Sequence, residues 1–415
     1  MNQAIIDTIP GDKSISHRAI ILASLSKGIT KFTGFLCSDD CLATLAIFEQ
    51  LGVSINRIGT TLTIESPGVI GFTQPKTILN VGNSGTGIRL ITGVLSALPF
   101  DTTISGDQSI KQRPMKRIID PLTQMGAVIE SDDGTPPLTI RGGQSLNRFH
   151  YDMPIASAQV KSSILLAGCA AGVPVSVTEP EQCRDHTERM LRLFGGGCIT
   201  KGALIEYDGQ SLRCPQGIVQ IPADISSALF MIVLALLKNE PTRLTNIGLN
   251  PSRTGCLDVL KQMNAPIEVI EQDGSYEPMG DIVVNASENP LQNITVPDEL
   301  IANIIDECPI LAILATKATG AFIVRNAKEL RVKESDRIDG ICRLINALGG
   351  QVVEHDDGFE VTGPINAPSA FSFDAHFDHR LAMSALIAGK VYGVQADVVG
   401  TDSIPTSFPN FFELI

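Results

Sequence analysis

The chain has 415 residues, 43% hydrophobic and 19% charged, a composition typical of a globular protein too long for one hydrophobic core. Its net charge of -13 argues against a nucleic-acid partner, and no apolar run reaches the roughly 18 residues of a membrane-spanning helix. The nine cysteines include no C-x-x-C pair, which favours a reducing, cytoplasmic location. Because a motif is reached by Lys13, we expect no signal peptide.

The first motif is the stretch PGDKSISHR over residues 10–18, followed by the apolar run AIILASL. We predict a helix that is N-capped by Ser14 and ends near Ser26. Lys13, Ser14 and Arg18 then lie at the positive end of this helix. A hydroxyl, two cations and free backbone N–H groups make a site for a phosphate or a carboxylate. An ordinary capped helix with surface charges is the alternative.

Two helix types alternate along the chain and indicate a repeat. Strongly apolar helices, which we expect to be buried on all sides, begin near six residues: Ser14, Thr86, Ser157, Asp224, Asp306 and His379. Amphipathic helices end in a large apolar residue, followed by a left-handed C-cap residue: Gly52, Gly126, Gly195, Asn264 and Gly349. The pattern predicts about six copies of one α/β unit, the last of them truncated.

A glycine-rich segment, NVGNSGTGIR, lies just before the second apolar helix. Gly82, Gly85 and Gly87 would let the backbone approach a ligand closely. The segment is not a P-loop, because no Lys-Ser or Lys-Thr pair follows, and it does not form a dinucleotide-binding fingerprint.

Charged residues collect near the starts of the apolar helices and in the run RVKESDR. The cations in these motifs are Lys13, Arg18, Arg113, Arg184, Lys333, Arg337 and Arg380. Guanidinium groups bind carboxylates and phosphates in bidentate fashion, so these cations indicate anionic substrates. Asp306 and Glu334 lie among them, and a carboxylate flanked by cations suits a proton acceptor. The alternative for RVKESDR is a solvated helix start. Neither a Ser-His-Asp set nor a zinc spacing is present, so we expect no metal site.

Seven motifs, in this order, resemble the 5-enolpyruvylshikimate-3-phosphate synthase family: PGDKSISHR, GNSGTGIR, QRP, SAQ, RDH, RVKESDR and DHRLAM. The resemblance implies an α/β fold of two domains, an inverse α/β prism built from six βαβαββ units. It implies a discontinuous domain of residues 1–11 and 224–415, a second domain of residues 12–223, and an active site in the cleft between them. The implied reaction transfers the enolpyruvyl group of phosphoenolpyruvate to the 5-hydroxyl of shikimate 3-phosphate, in aromatic amino acid biosynthesis.

The family needs neither a metal nor an organic cofactor, and the resemblance implies a cytoplasmic monomer with small-molecule substrates and no nucleic-acid or membrane partner. Members of the family are targets of glyphosate. The RDH and SAQ variants resemble the branch in which some members tolerate that inhibitor.

The resemblance also assigns site residues. Those implied to hold shikimate 3-phosphate are Lys13, Ser14, Arg18, Ser157, Ala158, Gln159, Arg184, Asp306 and Lys333. Those implied to hold phosphoenolpyruvate are Lys13, Gly85, Arg113, Gln159, Arg337 and Arg380. Asp306 and Glu334 would share the proton transfers. The family often has a Lys before a T-F-P segment, but here residues 405–409 read PTSFP, so Lys13 becomes the candidate general acid.

Two alternatives remain at this point. The first is an enolpyruvyl transferase that acts on a UDP-linked amino sugar, whose loop normally carries a reactive Cys near an Arg-Pro pair. The residues around Arg113 and Pro114 contain no Cys. The second is a catalytically silent anion-binding protein descended from the enzyme, against which the retention of Asp306 and Glu334 argues.

Overall fold

The computed structural model describes residues 3–272 and 276–415, and it divides the chain into two compact units. We call Gly11–Ile221 the continuous unit, and Met1–Pro10 together with Pro222–Ile415 the split unit.

Both units are built from short strands and helices that alternate along the chain. The helices are α1 Lys13–Leu25, α2 Asp39–Gln50, α3 Gly85–Leu95, α4 Lys116–Met125, α5 Ala158–Ala171, α6 His186–Leu193, α7 Ile225–Lys238, α8 Gly255–Gln262, α9 Asp298–Ile304, α10 Cys308–Ala315, α11 Arg337–Ala347, α12 His379–Tyr392 and α13 Phe411–Leu414. The strands are β1 Ala4–Ile6, β2 Gly28–Thr33, β3 Ser54–Ile58, β4 Thr61–Ser66, β5 Leu79–Asn80, β6 Thr102–Ser105, β7 Val128–Asp132, β8 Thr135–Arg141, β9 Phe149–Asp152, β10 Val175–Thr178, β11 Cys198–Lys201, β12 Leu204–Tyr207, β13 Ile218–Gln220, β14 Thr242–Gly248, β15 Ile267–Gln272, β16 Met279–Val284, β17 Gly320–Val324, β18 Gln351–His355, β19 Gly358–Gly363, β20 Ala370–Asp374 and β21 Gln395–Val399.

The continuous unit contains three four-stranded sheets, with strand orders β13-β2-β4-β3, β5-β6-β8-β7 and β11-β12-β10-β9. In each sheet one parallel pair adjoins antiparallel neighbours. The second and third sheets, together with their helices, follow the order βαβαββ along the chain. In the first sheet the parallel partner of β2 is β13, which comes from the far end of this unit.

Among the described residues, the split unit repeats the design fully in its first sheet and in shorter form in the other two. Its sheets have the orders β1-β14-β16-β15, β17-β19-β18 and β20-β21. Strand β1 pairs in parallel with β14, so the first residues of the chain complete a sheet whose other strands lie beyond residue 241. The described residues thus form six sheets, in agreement with about six predicted copies, and the last has two strands, as the truncated repeat predicts.

Three apolar helices occupy the core of each unit, because helices this apolar cannot present a face to water. In the continuous unit α3 packs on α1 and α5, and in the split unit α7, α10 and α12 pack on one another. Ile20, Ile21 and Leu22 of α1, for example, are fully buried. The sheets have one buried and one exposed face, as alternation along β4 illustrates.

Local signals located most helix ends correctly. The five residues predicted to be left-handed all have positive φ, with +95° at Gly52 and +61° at Asn264. The predicted cap of α1 is wrong, because the N-cap is Asp12, whose carboxylate accepts from the Ile15 N–H at 2.9 Å. Asp12 has extended backbone, whereas Ser14 already lies in the first helical turn. Within the described ranges, no helix has both the length and the apolar character to cross a bilayer.

Candidate active site

The start of α3 lies beside two guanidinium groups. Arg113 Nη2 donates to Asn83 Oδ1 at 2.9 Å, while Arg89 Nη1 donates to the Gly85 carbonyl at 3.3 Å and to Gln159 Oε1 at 2.9 Å. A Cβ built on Gly85 would lie 2.7 Å from Arg113 Nη1 and 3.1 Å from Arg89 Nη1. The φ of Gly85 is outside the left-handed region, so an added side chain would meet the guanidinium groups and would not strain the backbone angle.

The predicted residues Lys13, Ser157, Ala158 and Gln159 lie at the starts of α1 and α5. Lys13 forms an ion pair with the carboxylate of Asp40 at the start of α2. Ser157 is the N-cap of α5, and Ala158 is its first residue. The side-chain amide of Gln159 donates to Thr86 Oγ1 at 3.0 Å, which ties the start of α5 to the start of α3.

Arg18 is held by a set of neutral oxygens. Its Nε donates to Thr187 Oγ1 at 2.6 Å, its Nη2 to Ser162 Oγ at 2.7 Å, and its Nη1 to the Ser14 carbonyl at 2.9 Å. The side chain is only 2% exposed, so these contacts determine its orientation. Thr187 directly follows the RDH motif in the sequence, but the motif did not predict its hydrogen bond to Arg18. Arg184 of the same motif lies half-buried in the segment before α6.

Lys161, in the first turns of α5, is a fully buried cation that pairs with two carboxylates. Lys161 Nζ lies 2.8 Å from Glu179 Oε2 and 2.6 Å from Glu188 Oε1. Burial by itself would lower the pKa of Lys161, but the two carboxylates outweigh burial and raise it above its ordinary value. Lys161 therefore stays charged, and it fixes α5 against α6.

In the split unit, Arg337 brings the two predicted proton carriers together. Its Nη1 donates to Asp306 Oδ1 at 3.1 Å, its Nη2 to Glu334 Oε2 at 2.6 Å, and its Nε to Asp378 Oδ2 at 2.8 Å. Arg337 is 1% exposed, so the charge run is not simply a solvated helix start. Burial would lower the pKa of Arg337, but Asp378, Glu334 and Asp306 together raise it well above its ordinary value.

The remaining predicted residues of the split unit also converge on Asp306. Lys333 Nζ lies 3.6 Å from Asp306 Oδ1, and Arg380 Nη1 donates to the Asp306 carbonyl at 2.9 Å. The fully buried Glu307 places a carboxylate oxygen 3.8 Å from Arg380 Nη1. Sequence reasoning missed Asp378 and Glu307 as parts of this cluster, although both adjoin motif residues.

The geometry therefore supplies cations for anionic groups and carboxylates for proton transfer. In the described part of the chain, no group of three or more His, Cys, Asp or Glu side chains is arranged to hold a metal ion.

The sequence model of EPSP synthase (3-phosphoshikimate 1-carboxyvinyltransferase) matches residues 3–415. The chain belongs to the EPSP synthase family. A relative named 3-phosphoshikimate 1-carboxyvinyltransferase, from Bacillus cytotoxicus, is 45% identical over 410 residues, which cover 98% of this chain and 95% of the relative. These matches confirm the resemblance carried by the seven motifs.

Solved structures agree with the EPSP synthase assignment. The EPSP synthase from Acinetobacter baumannii superposes with a TM-score of 0.86 at 42% identity, covering 99% of this chain and 94% of that one. The predicted α/β fold class, with the two-domain inverse α/β architecture of EPSP synthase structures, is thereby confirmed. The enolpyruvyl transferase NikO from Streptomyces tendae has a TM-score of 0.75 at 16% identity over the whole of this chain and 94% of its own, a likeness of fold alone.

Proposed function

We propose that this member of the EPSP synthase family transfers the enolpyruvyl group of phosphoenolpyruvate to the 5-hydroxyl of shikimate 3-phosphate and releases phosphate. The observation that carries the proposal is the joining of Asp306 and Glu334 by the buried guanidinium of Arg337. Two carboxylates paired with one cation suit this reaction, which must remove a proton from the 5-hydroxyl and add and remove a proton at C3 of phosphoenolpyruvate.

The proposed binding sites keep the residues that the family resemblance assigned. Shikimate 3-phosphate would be held by Lys13, Ser14, Arg18, Ser157, Ala158, Gln159, Arg184, Asp306 and Lys333. Phosphoenolpyruvate would be held by Lys13, Gly85, Arg113, Gln159, Arg337 and Arg380. The narrow space between Gly85 and the Arg113 guanidinium supports the second set, since a small anion needs close approach of both backbone and cation.

The proposed chemistry is addition followed by elimination. The 5-hydroxyl oxygen bonds to C2 of phosphoenolpyruvate as its proton passes to a carboxylate, and C3 takes a proton to become a methyl group. In the resulting tetrahedral ketal, the bond between C2 and the phosphate oxygen then breaks and phosphate leaves. The methyl group gives up a proton, which restores the double bond between C2 and C3. Asp306 and Glu334 would share the transfers, and Lys13 would be the general acid in place of the missing Lys near residue 405.

We further propose a cytoplasmic monomer that acts on these small molecules, without nucleic acid or a membrane and without a metal or organic cofactor. The net charge of -13 disfavours nucleic acid, and all nine cysteines are unpaired, as suits a reducing compartment. Proton transfer and charge neutralisation account for every step of the proposed reaction, so it requires no cofactor chemistry.

A phosphate-release assay with each substrate omitted in turn tests the proposed reaction. We expect phosphate only when phosphoenolpyruvate and shikimate 3-phosphate are both present. Phosphate release with a UDP-linked amino sugar as the acceptor would instead support the rival transferase. Binding of both substrates without phosphate release would indicate a silent relative of the enzyme.

A further inference from the structure

His17 lies inside the continuous unit, between Lys13 and Arg18 in sequence, and the proposed chemistry gives it no role. Its side chain is fully buried. The ring contacts hydroxyl groups on two other helices: Nδ1 lies 2.9 Å from Thr44 Oγ1 in α2, and Nε2 lies 3.3 Å from Ser84 Oγ. Ser84 is the N-cap of α3, so the imidazole joins the interior of α1 to the helix start that carries Gly85.

The protons of this chain of contacts can be assigned by giving each hydroxyl an acceptor. Thr44 donates to the Asp40 carbonyl at 3.3 Å, so its oxygen accepts from His17 Nδ1–H. Ser84 Oγ accepts from the Gly87 N–H at 2.9 Å, and its own proton goes to His17 Nε2. With the other tautomer, the Ser84 proton would find no acceptor among these atoms.

The surroundings of His17 keep the ring neutral, as this arrangement requires. Burial lowers the pKa of His17 to about 3, and the charges of Lys13 and Arg18 act in the same direction. The first turn of α3 packs directly on the two hydroxyls. A Cβ on Gly87 would lie 2.9 Å from Ser84 Oγ and 3.3 Å from Thr44 Oγ1. Position 87 therefore has no room for a side chain beside the two hydroxyls.

We infer that His17 is a positioning residue for phosphoenolpyruvate: through Ser84 it holds the start of α3, and hence Gly85, in register with Lys13 on α1. This inference rests on the proposed function. On the other side, Thr44 connects His17 to α2, where Asp40 forms the ion pair with Lys13. We call the contacts Thr44–His17–Ser84 the relay. The relay thus sets the distance between the starts of α1 and α3 in the proposed phosphoenolpyruvate site without touching the ligand.

Two substitutions of His17 separate its two contacts. The terminal amide of Gln occupies the place of Nε2 and can accept from Ser84, whereas the shorter Asn reaches only the place of Nδ1 and Thr44. We expect His17→Asn to raise the KM for phosphoenolpyruvate about tenfold, the effect of leaving one buried hydroxyl unsatisfied. The KM for shikimate 3-phosphate and kcat should change little, and His17→Gln should restore most of the affinity for phosphoenolpyruvate.

Thr92→Val is a matched control, because Thr92 is fully buried in α3 and, among the described residues, its hydroxyl donates to the Ile88 carbonyl of the same helix. It should lower the melting temperature without a selective change in either KM. If His17→Asn and His17→Gln raise both KM values alike, or neither, His17 is a core residue only and the inference is wrong.

A second test adds an NMR readout that does not depend on activity. Long-range proton–nitrogen NMR spectra should show the His17 ring as the neutral Nδ1–H tautomer from pH 8 down to pH 5, and Ser84→Ala should perturb that one ring. In the background of Ser84→Ala, His17→Asn should lose its selective effect on phosphoenolpyruvate. A wild type that shows this tautomer but releases no phosphate would reject the proposed function and leave the relay standing. A protonated ring, or effects of the two substitutions that simply add, would reject the relay.

Discussion

Arg337 and Asp378 form a buried ion pair that joins the starts of two helices. Arg337 Nε donates to Asp378 Oδ2 at 2.8 Å, and the two side chains are 1% and 0% exposed. The other oxygen of Asp378 caps α12 by accepting from the Arg380 N–H at 3.0 Å. Asp378 therefore orients the guanidinium, so that its Nη atoms face Asp306 and Glu334.

Asp378→Asn should destabilise the protein, because it leaves part of the buried Arg337 charge uncompensated. We expect a loss of about 3 kcal/mol in the free energy of unfolding, measured by urea titration. Glu206→Gln is the control, since Glu206 pairs with Lys201 at the surface, where both side chains are well exposed, and its loss should be small. Equal stability of the two variants would show that the buried pair does not support the cluster.

Glu334→Gln should remove most turnover, by roughly 10²–10⁴-fold, because an amide cannot exchange the proton that the carboxylate carries. Binding of shikimate 3-phosphate, measured by calorimetry, should stay close to that of the wild type. Glu354→Gln, which removes an acidic partner of Arg331 outside the cluster, should leave turnover unchanged. Near-normal turnover of Glu334→Gln would exclude Glu334 from the mechanism.

Gly85→Ala should raise the KM for phosphoenolpyruvate and weaken competitive inhibition by glyphosate more strongly. The added methyl group would lie 2.7 Å from Arg113 Nη1, so the guanidinium must move. Glyphosate resembles phosphoenolpyruvate in charge but is longer, so a smaller site excludes it first. Inhibition curves and melting temperatures of both proteins test this. Equal losses of substrate and inhibitor affinity would contradict a selective clash.

The buried His17 should make the protein less stable in mild acid. The pKa of His17 is lowered from 6.5 to about 3 in the folded protein, so between these values the unfolded chain binds a proton that the folded protein does not. Stability due to His17 is present above pH 6.5 and is lost as the pH falls. From pH 7 to pH 5 the wild type should lose about 2 kcal/mol more than His17→Gln, since other groups titrate alike in both. Parallel losses in urea titrations would show that His17 is protonated when folded.

Much of the fold could be predicted from the sequence, because the signals are local. The apolar cores of the six buried helices and the left-handed residues after the amphipathic helices, such as Gly126 and Gly349, depend on residues within a few turns. The motifs likewise led to the EPSP synthase family and to the residues around Arg337. The cap of α1 was missed by two residues, because Asp12 and Ser14 are equally good caps by residue type and only the backbone distinguishes them.

Contacts between distant residues were decided by the tertiary structure alone. The sequence indicated that Arg18 and His17 belong to a motif. It could not show that Thr187, 169 residues away, orients the first, or that the hydroxyl of Ser84, 67 residues away, contacts the ring of the second. Nor could it distinguish a solvated charge run from an Arg337 buried among three carboxylates. Sequence periodicity determines which face of a helix is buried, but the partner of a buried polar group depends on which helix starts the packing brings together.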